Sequence, residues 1–136
     1  MKILLVDDEK EFTDQLSERL KLRNYNVSAV YSGEAAVEEI GRVAFDVVIL
    51  DVSMPGMDGI ETLRQIKKVR PLTEVILLTG HATFETAVTG LKIGANDYLM
   101  KPANPGELIQ KLEEAYERRK LQTEKLKVGK SSNLRS

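Results

Sequence analysis

The chain is 136 residues long, 42% hydrophobic and 30% charged, with no cysteine and a formal net charge of −1. That length suffices for one domain with its own core, and the missing cysteines exclude disulfides, thiolate metal sites and cysteine nucleophiles, in keeping with a cytoplasmic protein. No apolar run approaches the roughly 18 residues of a membrane span, no signal-peptide layout opens the chain, and one histidine, His81, cannot build a multi-histidine metal site.

Ile3-Leu4-Leu5-Val6 is an apolar run without polar alternation, as expected of a parallel strand buried on both faces. Phe12, Leu16 and Leu20 follow at helical spacing, then a weaker strand candidate at Val27-Ser28-Ala29-Val30, and Ser32 as a start signal for a second helix. Val47-Val48-Ile49-Leu50 is the next buried run. Ile60, Leu63, Ile66 and Val69 make a third helical stripe, with Asp58 and Glu61 spaced as a capping box at its start. Val75-Ile76-Leu77-Leu78 predicts a fourth strand, and Phe84, Ala87, Val88 and Leu91 a fourth helix, with Gly94 where a left-handed C-terminal residue is needed. After the weaker strand candidate Asp97-Tyr98-Leu99-Met100, Asn104, Pro105 and Glu107 supply an N-cap, a first-turn proline and an N3 acid for a last helix. Its stripe of Leu108, Ile109, Leu112, Ala115 and Tyr116 fails at Arg119, so core packing should end near Glu117, with room for the helix to continue. Val128 to Ser136, rich in Lys, Ser, Gly and Asn, reads as disordered.

Charge is unevenly placed along this order. From Arg118 onward seven basic residues face only Glu124, which gives the end of the chain +6 and leaves residues 1–117 at −7. An acidic body argues against nucleic-acid binding, and the basic end reads as a solvated linker or an interaction segment.

Strand and helix alternate five times. Short loops and right-handed crossovers then favour an α/β, doubly wound, five-stranded parallel sheet with helices on both faces. The order 2-1-3-4-5 of flavodoxin-like folds is one such solution, adopted here by analogy.

In doubly wound sheets ligands bind outside the carboxyl ends of the strands. There the sequence places Asp7 and Asp8 after the first run, Asp51 after the third, Thr79 after the fourth and Lys101 after the fifth. Three carboxylates in one crevice repel one another unless a cation joins them, and oxygen ligands without His or Cys select Mg²⁺ or Mn²⁺. A lysine and a threonine on the far side suit a phosphoryl group. Taken singly, each residue has a plain reading: Asp8 with Glu11 as a helix cap, Asp51 as a turn residue, Thr79 as a loop hydroxyl and Lys101 as a surface charge. Their joint placement at four strand ends points to phosphoryl chemistry.

Other phosphate-handling designs lack their signatures. There is no G-x-x-x-x-G-K-[ST] loop and no G-x-G-x-x-G fingerprint. Asp7-Asp8-Glu9 would repel a flavin phosphate, and Ser53 stands where the D-x-D motif of haloacid-dehalogenase phosphatases needs its second aspartate.

Over residues 1–120 the chain resembles the receiver domain of two-component response regulators, through L-L-V-D-D-E (4–9), D-V-V-I-L-D-V-S-M-P-G-M-D-G (46–59), V-I-L-L-T-G (75–80) and G-A-N-D-Y-L-M-K-P (94–102). Residues 121–136 then form a basic C-terminal tail or linker. The resemblance implies that Asp51 accepts a phosphoryl group from the phosphohistidine of a sensor histidine kinase or histidine phosphotransfer protein. It implies that Asp7, Asp8, Asp51 and the backbone carbonyl of Ser53 hold Mg²⁺, that Thr79 and Lys101 bind the phosphoryl oxygens, and that Tyr98 is the switch aromatic. A cis Lys101–Pro102 peptide is also implied. It would turn the chain sharply and aim the Lys101 ammonium at the crevice. Such a protein is a signalling switch whose catalysis is limited to its own charging and discharge, with a downstream effector met by the fourth helix, fifth strand and fifth helix. His81 and Ser53 fall where the family tunes phosphoryl lifetime, and the Met54-Pro55-Gly56 and Met57-Asp58-Gly59 segments are mostly turn chemistry. A receiver fragment of a longer DNA-binding regulator is the alternative; this chain carries no helix-turn-helix of its own, hence no specific nucleic-acid contact, and no membrane segment.

Overall fold

The apolar runs form a sheet in a computed structural model that describes residues 1–52, 59–80 and 84–135, with side chains described for all of these except Phe84 and residues 127–135. The elements are β1 (Lys2–Val6), α1 (Lys10–Leu22), β2 (Asn26–Val30), α2 (Gly33–Arg42), β3 (Val47–Asp51), α3 (Gly59–Val69), β4 (Glu74–Thr79), α4 (Phe84–Ile93), β5 (Asp97–Met100) and α5 (Pro105–Arg135). All four strand pairings are parallel, in the order β2-β1-β3-β4-β5. Every residue of β3 and β4 is buried, which is why those strands carry no polar alternation.

Successive residues alternate between two cores. Ile3, Leu5, Ile49, Ile76 and Leu99 face α1 and α5, where Leu16, Leu20, Leu108, Leu112 and Ala115 close the layer. Leu4, Val6, Val48, Leu50 and Leu77 face the other way, onto Ala36 and Ile40 of α2 and Leu63 and Ile66 of α3.

The caps follow the local chemistry. Ser32 Oγ accepts the N–H of Ala35 at 3.1 Å, and Asn104 Oδ1 accepts the N–H groups of Gly106 and Glu107 at 2.8 and 3.3 Å. Gly94 has φ +137°, a conformation that side chains disfavour, and closes α4 by donating to the carbonyl of Gly90 at 3.1 Å. Gly59 is needed for space instead: a Cβ there would lie 2.4 Å from Val52 Cα, so α3 could not start so close to the end of β3. Asp58, the expected partner of Glu61 in a capping box, and residues 54–58 of the segments expected to turn lie outside the described residues.

Two expectations need correction, and one about α5 holds. Val69, Val88 and Leu91 belong to the predicted helical stripes but are exposed, at 46%, 37% and 37%; among the described side chains of the α4 stripe Ala87 is the buried one. Core packing does end near Glu117: among the described side chains Ala115 is the last buried apolar one, and Leu121 and Leu126 are 56% and 51% exposed, although Arg118 and Arg119 still dock through ion pairs with Glu74 and Asp46. Residues 128–135, expected to be disordered, continue α5 as helix. An established helix adds turns without a new nucleus, so weak helix formers can follow strong ones. No helix among the described residues is long and apolar enough to cross a membrane.

Candidate phosphoryl and metal site

The strand order reverses between β1 and β3, because the chain leaves β1 toward β2 on one side and returns to β3 on the other. A crevice at the carboxyl ends is the consequence. Asp7 follows the last residue of β1, Asp51 is the last residue of β3, Thr79 is the last of β4, and Lys101 follows β5. The backbone N–H of Lys101 donates to the Thr79 carbonyl at 2.8 Å and fixes that loop to β4. The Lys101–Pro102 peptide is cis, as the resemblance implies.

The structure brings four of the expected residues together. Carboxylate oxygens of Asp7, Asp8 and Asp51 lie within 4.8 Å of one another, with Asp7 and Asp51 buried and Asp8 exposed. Lys101 Nζ donates to Asp7 Oδ2 at 2.7 Å and to Glu9 Oε1 at 2.9 Å, and stands 3.7 Å from Asp51 Oδ2. Its ammonium also lies 4.9 Å from the centre of the Phe12 ring, a cation–π distance.

The electrostatics follow from this packing. Burial pushes the Asp7 carboxyl up to about 6; the hydrogen bonds from Lys101 and the Glu9 N–H pull it down, and the charge of Asp51 pushes it up again. Burial alone would lower the Lys101 ammonium, but its bonds to Asp7 and Glu9 and the charges of Asp51 and Asp7 outweigh that and hold it above its ordinary value. The lysine is thus firmly cationic and the acidic cluster is short of positive charge. Hard oxygen donors, two buried and one on the solvent side, fit a cation of the Mg²⁺ kind that keeps part of its water shell. Asp8 does not cap α1: the N-cap is Glu9, which makes no side-chain cap bond.

Thr79 is fully buried and its hydroxyl donates to the Gly80 carbonyl at 3.0 Å. Leu77 pairs with Tyr98 and Thr79 with Met100, so Thr79 and Tyr98 share the sheet face of Leu77, opposite to the face of Asp51. Tyr98 is half-buried and packs against that core. Ser53 and His81 lie outside the described residues. Sequence reasoning missed the contacts of Glu9 and Phe12 with Lys101; the acidic residue directly after Asp7-Asp8 was the available signal.

The comparisons place the chain in a family. The sequence model of the response regulator receiver domain matches residues 3–113, and the chain belongs to that family. It is 42% identical over 113 residues to the transcriptional regulatory protein ZraR of Salmonella typhimurium, a match covering 83% of this chain and 26% of the relative. It is 40% identical over 111 residues to the transcriptional regulatory protein CpxR of Escherichia coli K12, covering 82% of this chain and 47% of the relative. The chain therefore spans about a quarter to a half of the length of these relatives. Among solved structures, a CheY-like response regulator receiver domain protein from Methanospirillum hungatei superposes with a TM-score of 0.85 at 31% identity, covering 89% of this chain and 97% of that one. The protein is thus a receiver-type signalling switch with the sheet order expected of it.

Proposed function

We propose that Asp51 is the phosphoacceptor of this receiver and takes its phosphoryl group from the phosphohistidine of a sensor histidine kinase or a histidine phosphotransfer protein. The observation that carries this reading is the meeting of three carboxylates with the Lys101 ammonium at the carboxyl ends of β1, β3 and β5. An Asp51 carboxylate oxygen attacks phosphorus in line. The P–O bond forms as the P–N bond to the donor imidazole breaks, and the electron pair leaves with the ring nitrogen. Lys101 and the Thr79 hydroxyl bind the phosphoryl oxygens on which negative charge gathers. Asp7, Asp8 and Asp51, with the carbonyl of Ser53, would hold Mg²⁺; when bound it supplies positive charge to the same oxygens. Water later cleaves the acyl phosphate and restores the carboxylate. Incubation with phosphoramidate, followed by intact-mass measurement, should show one added phosphoryl group that is lost in EDTA; uptake indifferent to EDTA would sink the Mg²⁺ assignment.

Phosphorylation adds nearly two negative charges and new acceptor oxygens beside Thr79. The Thr79 hydroxyl turns from the Gly80 carbonyl toward them, and Tyr98, on the same sheet face, moves into the space vacated. Both states exist beforehand, and the phosphoryl group biases them through its bond to Thr79. With beryllofluoride as the phosphoryl mimic, NMR shifts should spread from Asp51 into residues 83–117. In Thr79→Ala the mimic should still bind while most distant shifts disappear. Unchanged distant shifts in that variant would refute coupling through this hydroxyl.

The output surface is α4, β5 and α5, residues 1–120 are the folded unit, and 121–136 form the linker of a cytoplasmic protein. A specific observation favours the second reading, a receiver fragment of a longer DNA-binding regulator. The matched region is only 26% of ZraR and 47% of CpxR, both described as transcriptional regulatory proteins. The reading frame beyond codon 136 in the native gene distinguishes it from a free-standing regulator acting by protein contact.

A further inference from the structure

Glu9 occupies the N-cap position of α1, with φ −77° and ψ 87°, yet its side chain makes no bond to the helix. Its backbone is pinned instead: its N–H donates to Asp7 Oδ1 at 2.9 Å, and its carbonyl accepts from the Thr13 N–H and the Thr13 hydroxyl, each at 3.0 Å. From that fixed base the carboxylate reaches across the crevice to Lys101 Nζ at 2.9 Å. Lys101 consequently has one buried partner, Asp7, and one whose side chain is 64% exposed, Glu9. Asp51, at 3.7 Å, is the more distant neighbour. A cation held by Asp7 would weaken the hold of the first partner on the ammonium. The ammonium would then be shared between Glu9 and the phosphoryl oxygens arriving at Asp51.

We infer that Glu9 is a positioning residue that parks Lys101 at the mouth of the crevice and competes with the phosphoryl group for its ammonium, slowing the charging of Asp51. The inference rests on Asp51 being the phosphoacceptor. Phosphoramidate is the donor of choice for the test, since it needs no partner surface on α1. Glu9→Gln removes the charge. Glu9→Asp keeps the charge but shortens the side chain by one methylene, which breaks the contact. Both variants of the 136-residue chain should charge roughly two- to fivefold faster than wild type, the range expected for releasing a solvent-exposed ion pair. In ¹H–¹⁵N spectra of the lysine ammonium groups, both should also shift or broaden the Lys101 signal before any donor is added. Wild-type rate in Glu9→Asp would mean that net charge, not the contact, matters, and would overturn the inference, as would unchanged rates in both variants. Failure of wild type to take up phosphoryl groups would instead remove the Asp51 reading. The parking contact would then be judged by the ammonium signal alone, and an unchanged signal in Glu9→Gln would refute it.

Discussion

Asp51→Asn is expected to abolish phosphoryl uptake while leaving the fold intact. The amide is close in shape to the carboxylate, so the end of β3 keeps its packing, and Lys101 retains Asp7 and Glu9 as partners. An amide oxygen carries no full charge and is a poor nucleophile toward phosphorus, so no alternative acceptor is created. Asn also removes one of three carboxylates whose oxygens lie within 4.8 Å of one another. Without metal those charges repel, so the variant should melt above wild type in EDTA and gain less from added Mg²⁺. Intact mass reads the first effect and calorimetry in EDTA the second. Uptake equal to wild type would show that Asp51 is not the acceptor. A large fall in melting temperature would show that the acidic cluster is not repulsive.

The second large effect lies at the opposite end of the sheet. Glu74, the first residue of β4, has a side chain only 2% exposed. Arg118 Nε donates to its Oε1 at 2.7 Å, and Asn96 Nδ2 donates to its Oε2 at 2.7 Å. Asn96 in turn accepts from the Val75 N–H at 2.8 Å and from Lys67 Nζ at 3.1 Å. Arg118→Met leaves this carboxylate buried with one neutral donor. Breaking one side of a fully buried ion pair costs about 3–5 kcal/mol; Arg118 is itself 41% exposed, so water can reach the gap, and about 2–3 kcal/mol is expected. Arg119→Met should cost less, about 1 kcal/mol, because both side chains of the Arg119–Asp46 pair are partly exposed. Urea denaturation measures both. Equal and small losses would mean that Glu74 is not held by Arg118.

These two residues also show where sequence reasoning stops. The strands β1, β3 and β4 were legible because burial on both faces forbids polar residues along their length. Glu74 was invisible for the same reason: an acid at the edge of an apolar run looks like a boundary, and only the pairing of α5 with β4 reveals its partner. The α5 stripe ends at Tyr116, but docking continues by charge through Arg118 and Arg119, which hydrophobic periodicity cannot register. Periodicity misled in α4 as well, since Val88 and Leu91 have the spacing of a core stripe yet face outward; spacing says that residues share a face, not that the face is covered. The clustering of Asp7, Asp8, Asp51 and Lys101 was legible because strand ends in a parallel sheet converge at one edge. The contact between Glu9 and Lys101 was not, since it depends on where a long side chain comes to rest.

Hydride reduction tests the phosphoacceptor most directly. Borohydride converts an aspartyl phosphate to homoserine, and peptide mass spectrometry then locates the converted residue. After charging with phosphoramidate and Mg²⁺, homoserine is expected at position 51 alone and should be absent when EDTA is present. Conversion at position 7 or 8, or a phosphoryl mass gain that leaves position 51 unreduced, would contradict the assignment of Asp51.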